Sequence, residues 1–342
     1  MNMFNFIGEN SNDLLSKMNN KDKEELLKLL KEYKIELRDN LGLKQDITFG
    51  LELEFNTNNP NNIESNNRSL NYEWLIEKRL LGAYWDFKKE TSSIAGYEIS
   101  SPILFDTNEN WKQLSEMCNM LKNNDALITE KDAGHIHIGT QIIDNNLEDW
   151  LNFFRLYTLY ENIIYRFSYG EFENKRAYIS TYAIPLADKY YKNLKLIESK
   201  NNLISLRKLF EMMRPIYKKE ALNFYKVSQG GTSFERNRTI EFRMPNATLE
   251  PIIWQNNVNF FTHFLESSKK DVDKDLLMKK IYEKRDNLNN YEYYNSINVN
   301  EALELCDLIF DNNLDKINFL RQYMKNFETN NEFMYSNEFI KK

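Results

Sequence analysis

The chain runs to 342 residues, 42% of them hydrophobic and 14% aromatic, with a formal net charge of −6. That is enough apolar material for one large domain, or one domain with appendages, and too many aromatics for a disordered chain. Charges of both signs are mixed, no basic block is dense enough for a nucleic-acid groove, and no run reaches the roughly 18 apolar residues of a membrane-spanning helix.

In chain order, residues 11–38 carry Leu14, Leu15, Met18, Leu26, Leu27, Leu29 and Leu30 near helical spacing, behind a Ser11 or Asn12 cap. Ile47 to Phe55 alternates apolar with small or acidic residues and reads as a strand. Asn56 to Asn67 reads as an Asn-rich loop and residues 70–81 as a short helix. Tyr84 to Lys88 and Gly96 to Ser101 are expected strands, the second limited by Pro102. Residues 108–124 predict a helix with Trp111, Leu114, Met117, Cys118 and Leu121 on one side. His135 to Gln141 is a strand, 147–169 a long aromatic-rich helix, and 201–219 another helix. Gln229-Gly-Gly-Thr-Ser233 is a loop signal, Arg238 to Pro245 a strand and 250–267 a helix. Residues 271–342 are mostly helical and polar. Strands interrupted by helices, with few βαβ spacings, indicate an α+β fold with a mostly antiparallel sheet. The expected division is an N-terminal helical extension (1–45), a central domain (46–270) and a C-terminal helical segment (271–342). Cys118 and Cys306 lie far apart in no CxxC pattern, and Met1 to Asp13 has no basic leader region, so a reducing, cytoplasmic setting is expected. The weight of Asn, Lys and Ile fits an AT-rich bacterial or phage genome.

Four strand segments share a peculiarity. Residues i and i+2 of a strand point to the same face. Glu52 and Glu54 therefore share a face opposite Leu51, Leu53 and Phe55, and His135 and His137 one opposite Ile136 and Ile138. Glu241 and Arg243 lie opposite Ile240, Phe242 and Met244, and Glu98 pairs with Ser100. A solvated antiparallel sheet would also alternate. Here, however, the polar face of all four segments lacks lysine, and one of them uses two of the chain's three histidines. Glutamates at i and i+2 repel each other, and a cation between them removes that penalty. Carboxylates with an occasional imidazole suit Mg2+ or Mn2+ better than zinc. Trp111, Trp150, Trp254, Phe153, Phe154 and Phe260 read as core, and His263, among aromatics of the 250–267 helix, as a structural histidine.

The blocks Gly50-Leu-Glu-Leu-Glu-Phe55, Glu90-Thr-Ser through Gly96-Tyr-Glu-Ile-Ser-Ser-Pro102, Gly134-His-Ile-His-Ile-Gly139 and Thr239-Ile-Glu-Phe-Arg-Met-Pro-Asn-Ala-Thr248, in this order, resemble the glutamine synthetase-like carboxylate–amine ligases. The amidoligase branch is the nearest in pattern, over residues 47–265. The resemblance implies a curved, mostly antiparallel sheet with helices packed on its apolar face. It implies Glu52, Glu54, Glu98, His135 and Glu241 as ligands of two or three Mg2+ or Mn2+ ions. It further implies His137, Arg236 and Arg238 as nucleotide contacts, Arg243 as the arginine that stabilises transferring phosphate, and Arg176 and Tyr178 as substrate contacts. Glu90 stands where the branch has the Asp of Asp-Gly-Ser. It would serve as a cation ligand or as the base that takes the amine's proton. For Arg176, a surface salt bridge is the competing expectation.

The implied reaction is ATP-dependent: a carboxylate is phosphorylated, and an amine displaces phosphate to leave an amide or isopeptide bond. Its partners are ATP and small-molecule, peptide or protein acids and amines, in a protein that needs neither nucleic acid nor membrane and that can form an oligomer. Three other readings compete: a guanidino-kinase-like phosphotransferase on the same fold, a non-catalytic Mg-nucleotide-binding interaction protein, and a metal-dependent hydrolase.

Overall fold

The computed structural model describes residues 18–79, 84–90, 96–143, 145–199, 204–214, 219–224, 227, 238–287, 294 and 296–325. Its centre is one six-stranded open sheet, antiparallel throughout. The strands are β1 (Phe49–Phe55), β2 (Asp86–Lys89), β3 (Tyr97–Ser100), β4 (Gly134–Gly139), β5 (Leu222–Asn223) and β6 (Thr239–Phe242), in spatial order β2-β3-β1-β4-β6-β5. The expected antiparallel α+β arrangement is therefore present.

Register decides which side chains meet. Leu53 faces Ile99, Leu51 faces Ile136, and Ile136 faces Phe242. These residues build a continuous apolar face, buried throughout. Two helices cover it. Phe261, on the helix Pro251–Ser267, stacks on Phe242 with ring centroids 4.0 Å apart. Trp111, on the helix Asn108–Asn123, stacks on Phe49 at 5.0 Å. The long helix Leu147–Ser168 is buried on all sides beyond its first turns, its charged Arg155, Glu161 and Arg166 included. Gly134 is required where the chain turns into β4. A Cβ there would stand 2.6 Å from the Trp254 ring and 2.8 Å from the Asn246 carbonyl.

The Asn-rich stretch is not a loop. Pro60 opens a helix, Pro60–Tyr72, that passes directly into a π-helical turn, Glu73–Glu77. Two of its asparagines face inward: Asn67 and Asn71 each donate to the carbonyl of Trp85. Asparagine thus shares the interior positions of this helix with Ile63. The first helix among the described residues is Asn20–Glu32, capped by Asn19, and Tyr33 to Arg38 follows it as irregular chain. Residues 11–17 of that expected helix lie outside the described residues. The helix Ala187–Ile197 was not expected from the sequence, and only Leu206–Met213 of the 201–219 expectation is a helix among the described residues.

The two ends of the described chain pack on the centre. One apolar cluster runs from Leu26 through the sheet to Tyr323. Arg38 pairs with Asp315 at 2.8 Å, and Asn256 donates to the Asn318 carbonyl and to Gln322. The helices Val299–Ile309 and Asn313–Met324 thus complete the same core. Among the described residues, no helix is long and apolar enough to cross a membrane.

Candidate active site

The opposite face of the sheet gathers the chemistry. Across β3, β1 and β4, Glu98 faces Glu54, Ser100 faces Glu52, and Glu52 faces His135. Across β4, β6 and β5, His137 faces Glu241, and Glu241 faces Asn223. Directly paired residues share a face, so the alternation read within each strand is joined across five of them.

The carboxylates and imidazoles fall into two groups. Ligand atoms of Glu52, His137 and Glu241 lie within 4.8 Å of one another, and so do those of Glu54, Glu90 and Glu98. Glu52 and Glu54, alternate residues of one strand, thus serve one group each. His135 borders the first group: its Nδ1 is 3.1 Å from Glu52 Oε2 and 3.6 Å from Glu241 Oε1. The sequence put His135 on a cation and His137 on the nucleotide. It is His137 that shares the three-atom group, with its Nε2 3.2 Å from Glu52 Oε1.

Their charge states follow from these neighbours. Burial opposes the charge on Glu52, but the bonds from His135 and His137 outweigh it and hold the carboxyl well below its usual range. Glu241 is likewise lowered, because His135 and Arg243 offset its burial. Glu98 moves the other way, raised by burial and by Glu52 nearby, although Lys88 and Ser100 bond to it. Glu54 accepts the Ala133 amide at 2.7 Å, which fixes one of its oxygens.

Arginines flank the carboxylates. The Arg243 guanidinium bonds Glu241 Oε1, while its Nε is buried with no hydrogen-bond partner. A buried N–H without an acceptor is costly to the fold. Arg176 is not a surface residue: it is 3% exposed. Its Nη2 donates to the Arg243 carbonyl at 2.6 Å and its amide to Asn246, and no carboxylate of the described residues pairs with it. Burial pulls its pKa down to about 10, against the pull of Glu54. Two residues on, Tyr178 is exposed and has φ +59°, a left-handed conformation that bulky side chains rarely adopt. Arg238 lies at the start of β6, with its carbonyl bonded to the Thr140 amide. Arg236 and the Gln229–Ser233 loop lie outside the described residues.

Beside the first group, an open pocket of about 270 Å³ is lined by Gly50, Glu52, Ser101, Ile103, His137 and Thr239. A wider surface cavity, about 550 Å³, lies over Arg68 and Tyr72 and holds none of these candidate residues. Two contributors went unread in the sequence. Asn223 donates to Glu241 Oε2 at 2.7 Å from a strand of two residues, too short for alternation to register. Lys88, on β2, is 2.7 Å from Glu98 Oε1. Its position opposite Glu98 was readable only once β2 was paired with β3.

A family model described as "putative amidoligase enzyme" matches residues 76–265. No curated protein matches the chain. The family match spans β2, β3, β4, β5 and β6 with the side chains they carry. By this match over more than half its length, the chain belongs to the amidoligase family.

Proposed function

We propose that this amidoligase uses ATP to join a carboxylate to an amine on the polar face of the sheet, through an acyl phosphate. One observation carries the reading: two separate groups of three ligand atoms, to which Glu52 and Glu54 contribute one carboxylate each. Those groups hold five carboxylates (Glu52, Glu54, Glu90, Glu98 and Glu241), with Lys88 bonded to Glu98 and Arg243 to Glu241. Acids clustered this closely suit divalent cations, and all-oxygen or oxygen-plus-imidazole donors suit Mg2+ or Mn2+. Such ions, held by Glu52, His137 and Glu241 and by Glu54, Glu90 and Glu98, would neutralise the triphosphate as it meets an anionic acid.

The remaining residues divide the work by position. The pocket at Gly50, Ser101 and Thr239 opens beside His137, and the nucleotide is assigned to that end. Arg176 and Arg243 lie toward the other end of the strands, where β1 reaches Glu54. The acid is assigned there: its anionic group offsets the buried Arg176 charge, and Tyr178 lines its entry. Arg243, whose buried Nε has no partner, is assigned to the phosphoryl group in transfer. His135 orients Glu52 across β1 and β4 and stays available as a ligand. Arg236 and Arg238 keep their nucleotide assignment from the sequence pattern. Glu90 is assigned as a ligand first and as the amine's base second. The glutamine synthetase-like relationship of the sheet belongs to this same proposal.

The test is product formation. With Mg2+ and ATP, free phosphate release should require both an acid and an amine, and mass spectrometry should find the amide. A kinase would instead deliver the phosphate to nitrogen. Loss of Mn2+ and ATP binding in Glu52→Ala and His135→Ala is expected. If both variants bound and turned over as the parent does, the proposal would fail.

A further inference from the structure

Lys88 stands on an edge strand, opposite Glu98 in the β2–β3 register. Its ammonium lies 2.7 Å from Glu98 Oε1, and the same oxygen accepts Ser100 Oγ at 2.7 Å. That oxygen therefore already serves two donors, one of them a full positive charge. Yet Glu98 belongs to the Glu54–Glu90–Glu98 group, and Glu98 is only 5% exposed. A divalent cation taken up by that group would come within a few ångströms of the ammonium, where screening by water is weak. Both cannot sit on Glu98 together without strong repulsion.

The two groups differ in what can yield. In the first, Arg243 pairs with Glu241 from a side chain that is 15% exposed. The Lys88 side chain is 48% exposed, on a flexible four-carbon stem at the rim of the sheet. It can leave Glu98 at little cost and keep its charge in solvent or on another anion. Lys88 shares the polar face to which the proposed function assigns the triphosphate.

We propose that Lys88 is a tethered counter-ion: it occupies the Glu54–Glu90–Glu98 group while no divalent cation is bound, and it moves to the nucleotide phosphate when one arrives. The inference rests on the cation reading of the site given above. It makes the second cation weaker than the first in the absence of nucleotide, and it makes nucleotide and second cation bind cooperatively, since each removes a penalty on the other.

Calorimetric titration with Mn2+ tests this in the full chain, with and without a non-hydrolysable ATP analogue, for the parent, Lys88→Met and Lys88→Arg. The parent should bind two ions, the second tightened about tenfold by the analogue, the size of a modest ion pair. Lys88→Met should bind the second ion about tenfold more tightly with no analogue present, and the analogue should add little. Lys88→Arg, which keeps the charge, should follow the parent. A second-site affinity in Lys88→Met within twofold of the parent's overturns the inference and leaves the cation reading standing. A parent that binds no Mn2+ at all overturns both.

Discussion

The guanidinium of Arg176 donates to the main-chain carbonyl of Arg243 at 2.6 Å, so one arginine braces the strand end that carries the other. Arg176 is buried, and its charge has no carboxylate partner among the described residues. A buried charge without a counter-charge destabilises the chain that holds it, and a ligand anion removes that penalty. Arg176→Met keeps most of the volume and deletes the charge. In urea denaturation the ligand-free variant should be as stable as the parent or more stable by about 1 kcal/mol. Its ligase turnover should fall by about a hundredfold or more, the cost of an unpaired anion at about 3 kcal/mol. A variant that lost stability and activity in proportion would make Arg176 merely structural.

Glu52 and Glu54 belong to different groups of ligand-type side chains, which makes the proposed cation sites separable by mutation. Parent protein should take up two Mn2+ ions. Glu52→Gln should lose the ion shared with His137 and Glu241, and Glu54→Gln the one shared with Glu90 and Glu98. Each change removes a charged ligand but keeps its shape. Electron paramagnetic resonance of bound Mn2+ reads the stoichiometry directly. Two ions retained in both variants would mean that the groups are not cation sites.

The site was legible in the sequence because its strands are amphipathic. Glu52 with Glu54, His135 with His137, and Glu241 with Arg243 each declare a polar face through two-residue spacing. Antiparallel pairing then brings those faces together. What stayed hidden depends on contacts between distant segments. Lys88 lies in a strand whose partner decides its neighbour, and the burial of Arg176 depends on Asn246 and the Arg243 carbonyl, far along the chain. The helix Pro60–Tyr72 was masked by its asparagines, which suggest a loop until Trp85 supplies the backbone groups that they bond. The helices beyond residue 270 carry buried polar side chains such as Asn318 and Gln322. Gln322 reads as surface until its partners Asn256 and Asn257 on the helix Pro251–Ser267 are known, and Asn318 until the Tyr33 hydroxyl is.

Arg243 offers a sharper kinetic test than the ligands do. Its Nη1 is engaged with Glu241, and its buried Nε has no partner. Arg243→Lys keeps a positive charge near Glu241 but removes the planar fork that holds both directions at once. Mn2+ binding should persist, while kcat falls by roughly a thousandfold, the scale seen when a phosphate-stabilising arginine is lost. KM for ATP should change far less, since the interaction forms mainly in the transition state. A large rise in KM with kcat unchanged would instead make Arg243 a ground-state nucleotide contact.

Away from the site, Glu198 sets how the protein responds to acid. Arg155, fully buried, donates to both of its oxygens, at 2.9 and 3.0 Å, while Tyr190 and Lys274 bond it as well. Burial opposes the charge, but these partners outweigh it and bring the Glu198 pKa to about 2. A carboxyl lowered on folding adds stability above its unfolded pKa, and that stability is lost as pH falls through the folded value. The loss should therefore develop between about pH 5 and pH 2, from a contribution of about 2–3 kcal/mol at neutral pH. Glu198→Gln should be less stable than the parent by about that amount at pH 7, because Arg155 keeps, among the described residues, only Glu148 as a charged partner. The two proteins should converge as the pH is lowered toward 2. Urea denaturation at pH 7, 4 and 3 gives the comparison, and a gap that stayed constant with pH would mean that Glu198 is not held ionised by Arg155.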